Sequence, residues 1–193
     1  VVDRLSAALV LLPAVVAVAS LAYAILRGTD AAGPHFLALF QFQLLGINGA
    51  LLTGDLFNLF VFFEILLIAS YTLLLHGMGA ARVSAAIHDV ALNLVGSALF
   101  LFAVGLIYAA TGTLNLADLA RVMPAVVAGD VPLARAGALL LLVVFALKAA
   151  LLPLSFWLPP AYAASNAAVA ALFAMLTKVG VYAILRVHGV VFG

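Results

Sequence analysis

Apolar residues run through this chain in stretches of about 20, broken by short polar or glycine-containing links. That is the length a helix needs to cross a ~30 Å hydrocarbon layer. The pattern predicts about six spans. The first covers residues 5–26 and stops at Arg27-Gly28-Thr29-Asp30; the second covers 35–52. Gln41, Gln43 and Asn48 give the second span a polar face that should point at another helix. The link Thr53-Gly54-Asp55 leads to a third span, 56–75, which ends at His76-Gly77-Met78-Gly79. The fourth runs over about 85–110, with Asn93, Gly96 and Ser97 in its first half, where small and amide residues let helices pack closely. In the long link 114–136, Leu116, Leu119, Ala120 and Met123 share a helical face from which Asp118 and Arg121 are excluded, predicting a short amphipathic helix at the membrane surface. Pro124, Gly129-Asp130 and Pro132 are expected to end that helix and keep the rest of the link irregular.

A fifth span, from 137 through Lys148 to Pro153, is interrupted before Pro159-Pro160, because proline removes a backbone donor and clashes with the carbonyl four residues earlier, here that of Ala149. The sixth covers 166–185, with Arg186 at its end. Trp157 and Tyr162 read as interface aromatics, and Arg82 and Arg186 as helix-end anchors. The chain is therefore all-α: a polytopic membrane helix bundle of about six spans, one of them broken.

Composition agrees. The chain is 68% hydrophobic and 8% charged, with mean hydropathy +1.36, against about 25% charged residues in soluble domains. A net charge of +1 gives no basic surface for nucleic acid. Without cysteine there is no disulfide, thiolate nucleophile or cysteine-held cluster. His35, His76, His88 and His188 are too scattered to suggest a metal or haem, and no motif for a nucleotide or other cofactor is present, so none is expected. The chain opens on Val1 without a signal-peptide pattern and is read as a piece of a longer protein.

Against this background Glu64, Lys148 and Lys178 stand out. Each lies roughly 12–17 Å from the start of its predicted helix, deep in the apolar layer. A charge there costs at least ~2.5–3.5 kcal/mol, so such groups normally face a bundle interior or wet cavity and mark an ion or proton path. Glu64 and Lys148 at similar depth would stabilise each other's charged forms, and separation would favour the neutral forms, which makes the pair a candidate proton switch. Lysine suits that role because its protonation responds to burial, whereas arginine stays charged. Other readings stand beside this one: Glu64 as a structural hydrogen-bond acceptor, Lys148 as a fixed counter-ion, Lys178 snorkelling to an interface. Asp55 is either an N-cap or a point of proton uptake. His88 and Asp89 are either interface residues or part of a proton funnel. The break around Pro153, Pro159 and Pro160 beside Lys148 fits an ion site, since unwound backbone is tolerated in a membrane only where it is protein-buried or lines a cavity.

The stretches TGDLFNLFVFFEILLIASYTLLLHG (53–77), LNLVGSALFLFAVGLIYAATGTLNLADLA (92–120) and FALKAALLPLSFWLPPAYAASNAAVAALFAMLTKVGVYAILR (145–186) resemble the antiporter-like subunits of Mrp-type multisubunit Na⁺/H⁺ antiporters and of the complex I membrane arm. The wording GDLFNLFVFFE and TGTLNLADLA is most similar to the D subunit of the Mrp antiporter. The resemblance implies a fold of two inverted five-helix repeats. Residues 1–193 would then be a single transmembrane domain matching family helices three to eight: 1–30 a leading helix, 35–193 the first repeat. It implies proton transfer through Glu64, Lys148 and Lys178, other subunits of a multisubunit membrane complex as partners, H⁺ and Na⁺ as transported ions, and a multi-pass place in the plasma membrane. It also implies a cytoplasmic Arg82 link, which the arginine count opposes: Arg4, Arg121, Arg135 and Arg186 fall on one side, Arg27 and Arg82 on the other. His88-Asp89 departs from the family, where a basic or aromatic pair is expected. The homologous proton-pumping subunit of complex I or a membrane-bound hydrogenase is the nearest alternative, and a structural membrane anchor the third.

Overall fold

The helices that begin at Arg4, Leu56, Leu116 and Ala167 start where a side chain accepts from their first free amide groups, and those that begin at Val131 and Leu158 open with proline, which lacks one. The computed structural model describes residues 3–77, 79–126 and 129–192. Helix α1 (Arg4–Arg27) starts with a reciprocal cap: Asp3 accepts from the Ser6 amide at 2.8 Å, and the Ser6 hydroxyl accepts from the Asp3 amide at 2.9 Å. It ends at Gly28, whose φ of 65° suits a residue without a Cβ. Helix α2 (Phe36–Leu52) leads into α3 (Leu56–Leu75), where Asp55 accepts from the Asn58 amide at 2.9 Å. Helix α4 (Ala80–Thr111) comes after the Gly79 turn, and α5 (Leu116–Val122) is capped by Asn115. Helix α6 (Val131–Lys148) precedes an irregular stretch and the short α7 (Leu158–Ala164). Asn166 caps α8 (Ala167–Val191). Among the described residues there is no β-strand, only an isolated bridge of Asp55 with Asn115.

Five of these helices, α1, α3, α4, α6 and α8, are long and apolar enough to cross a membrane. Helix α2, with 17 residues, is marginally short for a crossing, at about 25 Å of rise. Pairs α2/α3 and α4/α6 pack along each other, and α8 lies against α1, α5 and α6. Small residues, Ser6, Pro13, Ala17, Ser20 and Ala24, form the inner face of α1, while its outer face exposes Leu11, Val18 and Leu26, as expected of a helix facing lipid.

Several boundaries differ from the sequence reading. Helix α4 begins at Ala80 rather than near 85, because 80–86 hold good helix formers and the break is Gly79. Helix α6 begins at Val131 rather than near 137; Pro132 sits in its first turn, where a missing amide hydrogen costs nothing. Pro159 and Pro160 likewise open α7. Helix α8 runs on to Val191, so Arg186 lies inside it rather than at its end. Gln43 is fully buried while Gln41 is exposed, because two residues rotate a helix by about 200°; the polar residues of α2 do not share one face. The amphipathic helix in 114–136 is present as α5, with Leu116 and Leu119 buried against α8. Met78, in the link after α3, lies outside the described residues.

Candidate functional site

Lys148 is the last residue of α6, not a mid-helix residue: the helix stops five residues before Pro153. The chain turns through Ala150, a non-glycine residue at φ 52°. The Leu147 carbonyl, left at the helix end, accepts from the Ala150 amide at 3.0 Å and from the indole Nε1–H of Trp157 at 3.0 Å. Trp157 is thus a buried clasp across the break and not an interface aromatic. Tyr162 is half-buried, edge-on to Phe173. Two glycines make room for this non-helical backbone. A Cβ on Gly180 of α8 would collide with the Ala149 backbone, and one on Gly96 of α4 would press on the Leu147 side chain. The start of the interruption, Lys148 and Ala149, is therefore buried, whereas Leu151, Leu152 and Pro153 beyond it are exposed on this chain's surface.

The Lys148 side chain, 3% exposed, reaches between α3 and α4. Its Nζ donates to the Ser97 hydroxyl at 3.1 Å and to the Asn93 carbonyl at 3.4 Å, and sits 5.9 Å from the Phe63 ring centroid. The Ser97 hydroxyl in turn donates to Glu64 Oε1. Glu64 and Lys148 thus make no direct ion pair; a serine hydroxyl stands between them. Ser97 belongs to a polar stripe on α4 in which Asp89, Asn93 and Ser97, four residues apart, are all buried. Asn93 Nδ2 donates to Asp89 Oδ1 at 2.7 Å. One side of this stripe is closed by phenylalanines: Phe100 lies edge-on to Phe145 (centroids 5.3 Å) and to Phe60 (5.6 Å), with Phe63 beside Phe100 and Phe145.

The other predicted residues divide sharply. Asp89 joins the cluster. His88, its neighbour, is exposed; its Nδ1 donates to the Ser84 carbonyl (2.9 Å), and it borders a recess of about 490 Å³ shared with Ala85, Pro160 and Ala163. Asp55 caps α3, with the phenylalanine cluster between it and Glu64. Lys178, midway along α8, is exposed and donates to Thr177 Oγ1 at 3.4 Å; it does not meet Glu64 or Lys148. Ser97 was legible only as a small packing residue, because the helix register that aims it at Glu64 is a property of the α3/α4 packing.

A Glu–hydroxyl–Lys bridge thus stands at the broken helix. Comparison with known proteins gives the family. The family model described as NADH:quinone oxidoreductase/Mrp antiporter, transmembrane, matches residues 53–192. The chain belongs to this family. The D subunit of a probable K(+)/H(+) antiporter of Rhizobium meliloti (strain 1021) is 55% identical over 193 residues, all of this chain and 36% of the relative. The D subunit of the Na(+)/H(+) antiporter of Bacillus subtilis (strain 168) is 50% identical over 153 residues, 79% of this chain and 31% of that one. In the solved structure of the Mrp complex from Dietzia sp. DQ12-45-1b, a chain superposes with TM-score 0.86 at 36% identity, over 99% of this chain and 36% of its own length. The antiporter-family chain thus spans about a third of the length of these relatives. It is a multi-pass protein of the bacterial cell membrane.

Proposed function

We propose that this chain is the part of an antiporter-like subunit, of the D type, that moves protons within a multisubunit monovalent cation/H⁺ antiporter. Glu64 and Lys148 act as the switch and Lys178 carries the proton onward; other subunits complete the exchanger. The observation that carries the reading is the buried Lys148 ammonium bridged to Glu64 through Ser97, where α6 breaks. A bridge through one hydroxyl holds the two charges while leaving them separable by a single side-chain rotation, which suits a switch better than a locked ion pair. The position of Lys178 supports the onward role: an exposed charge midway along an apolar helix is tolerable only against further protein or water, so it faces outward from this bundle towards whatever completes the path. The relatives' names point to Na⁺ or K⁺ as the exchanged cation.

The test uses everted membrane vesicles carrying the chain within its full-length subunit and complete complex. Dissipation of a pH gradient on adding NaCl or KCl is compared for wild type, Glu64→Gln, Lys148→Ala and Lys178→Ala at matched assembly. All three variants should assemble and lose exchange. Normal exchange in the Glu64 and Lys148 variants overturns the reading in favour of a structural bundle. A wild-type complex that moves protons only when a redox substrate is supplied points instead to the family's quinone oxidoreductase branch.

A further inference from the structure

Lys148 has a second carboxylate within reach. Its Nζ is held on α4 between Ser97 and Asn93, and each of these contacts leads to an acid: Ser97 to Glu64, Asn93 to Asp89. Asp89 is 3% and Asn93 1% exposed, and Asn93 Oδ1 is buried without a hydrogen-bond partner. A buried carboxylate with one amide partner and an adjacent amide oxygen left unsatisfied is costly, and the arrangement is complete only if another donor arrives. The Lys148 ammonium, already on the Asn93 backbone carbonyl, is the donor at hand. The titratable groups that act on it are Glu64 on α3 and Asp89 on α4, and Tyr71 on α3 lies near both carboxylates; α8, packed on α6, carries Lys178, which is exposed on Thr177.

We propose that Asp89 is the alternate counter-charge of Lys148, so that the ammonium moves between a Glu64 position reached through Ser97 and an Asp89 position reached through Asn93. The proposal rests on the proton-switch reading and specifies its second position. The two positions have different surroundings. The phenylalanine cluster of Phe60, Phe63, Phe100 and Phe145 closes the Glu64 side, whereas Asp89 lies two helical turns along α4 towards the recess beside His88 and Pro160. The two positions also differ in burial: Glu64 is half-buried, whereas Asp89 is 3% exposed. Trading one carboxylate for another keeps the ammonium from being stranded unpaired in the apolar layer, where the cost would be highest.

Asp89→Asn tests this directly, because it keeps the acceptor for Asn93 Nδ2 and the volume but removes the charge. In the complete complex, at matched assembly, cation-driven exchange should fall at least about tenfold, the effect of losing one charge interaction of about one pKa unit; Asp89→Glu should recover most of it. Unchanged exchange in Asp89→Asn while Glu64→Gln is inactive overturns the second position and leaves the switch intact; active Glu64→Gln overturns both. If Asp89→Asn fails to assemble, Asn93→Ala decides: lost exchange with normal assembly supports the second position, and wild-type exchange refutes it.

Discussion

The Ser97 hydroxyl accepts from Lys148 at 3.1 Å and donates to Glu64, so two charges from α3 and α6 meet through a neutral group on α4. A direct ion pair between long, buried side chains is hard to open without stranding a charge. A hydroxyl can reverse its donor direction by rotating, and so serves either protonation state of its neighbours.

Ser97→Ala should assemble normally but exchange cations about tenfold more slowly or worse, since a buried hydrogen bond to a charged group is worth ~1.5–3 kcal/mol. Ser97→Thr, which keeps the hydroxyl, should retain most activity. The vesicle pH-gradient assay checks both, and equal activity in the alanine and threonine variants would show that the hydroxyl is dispensable.

Trp157→Phe removes the indole donor from the Leu147 carbonyl while keeping much of the aromatic packing. The loss of one buried hydrogen bond should cost ~1–3 kcal/mol. It should appear as a lower thermal unfolding midpoint of the purified protein and as faster proteolysis around 149–157; an unaltered midpoint would mean that the clasp does not hold the break.

Gly180→Val places bulk against the Ala149 backbone, which has nowhere to retreat between α4 and α8. Overpacking of this kind costs ~1–3 kcal/mol or more. The variant should accumulate poorly in the membrane, whereas Gly105→Val, at a position with open space around its Cβ, should accumulate like wild type. Quantitative blotting of membrane fractions reads this out.

Asp3 and Arg186 tie the start of α1 to α8 at 2.7 Å. The Arg186 hydrogen bond, followed by the Ser6 amide, holds the Asp3 carboxyl well below the usual carboxylate range. A depressed folded value means that the stabilisation is fully present above the unfolded value of 3.8 and is lost as pH falls through the folded one. Wild type should therefore unfold at higher temperature than Asp3→Asn at pH 6–7, with the gap starting to narrow below about pH 4. A gap independent of pH between 7 and 3 would refute this account of the pair.

The apolar runs alone determined that the chain is helical and crosses a membrane, because that follows from chain length and hydrocarbon thickness, which are local quantities. They also placed α3 to the residue, since Asp55 and His76 punctuate it in sequence. Glu64 and Lys148 stood out as costly charges before any fold was known. The end of α6 at Lys148 was not legible: proline marks a helix break only approximately, and here the stop depends on Trp157, Gly96 and Gly180 closing around residues 147–150. Nor could the sequence distinguish Asp89, which is buried in the stripe, from its neighbour His88, which faces outward; one step along a helix turns a side chain by about 100°, and only the packing of α4 against α3 and α6 decides which of the two points inward. Ser97 gained its place between the two charges in the same way. Sequence singled out the charges that fall deep in apolar helices; tertiary structure buried Lys148, left Lys178 exposed, and chose the neutral groups that hold Lys148 near Glu64.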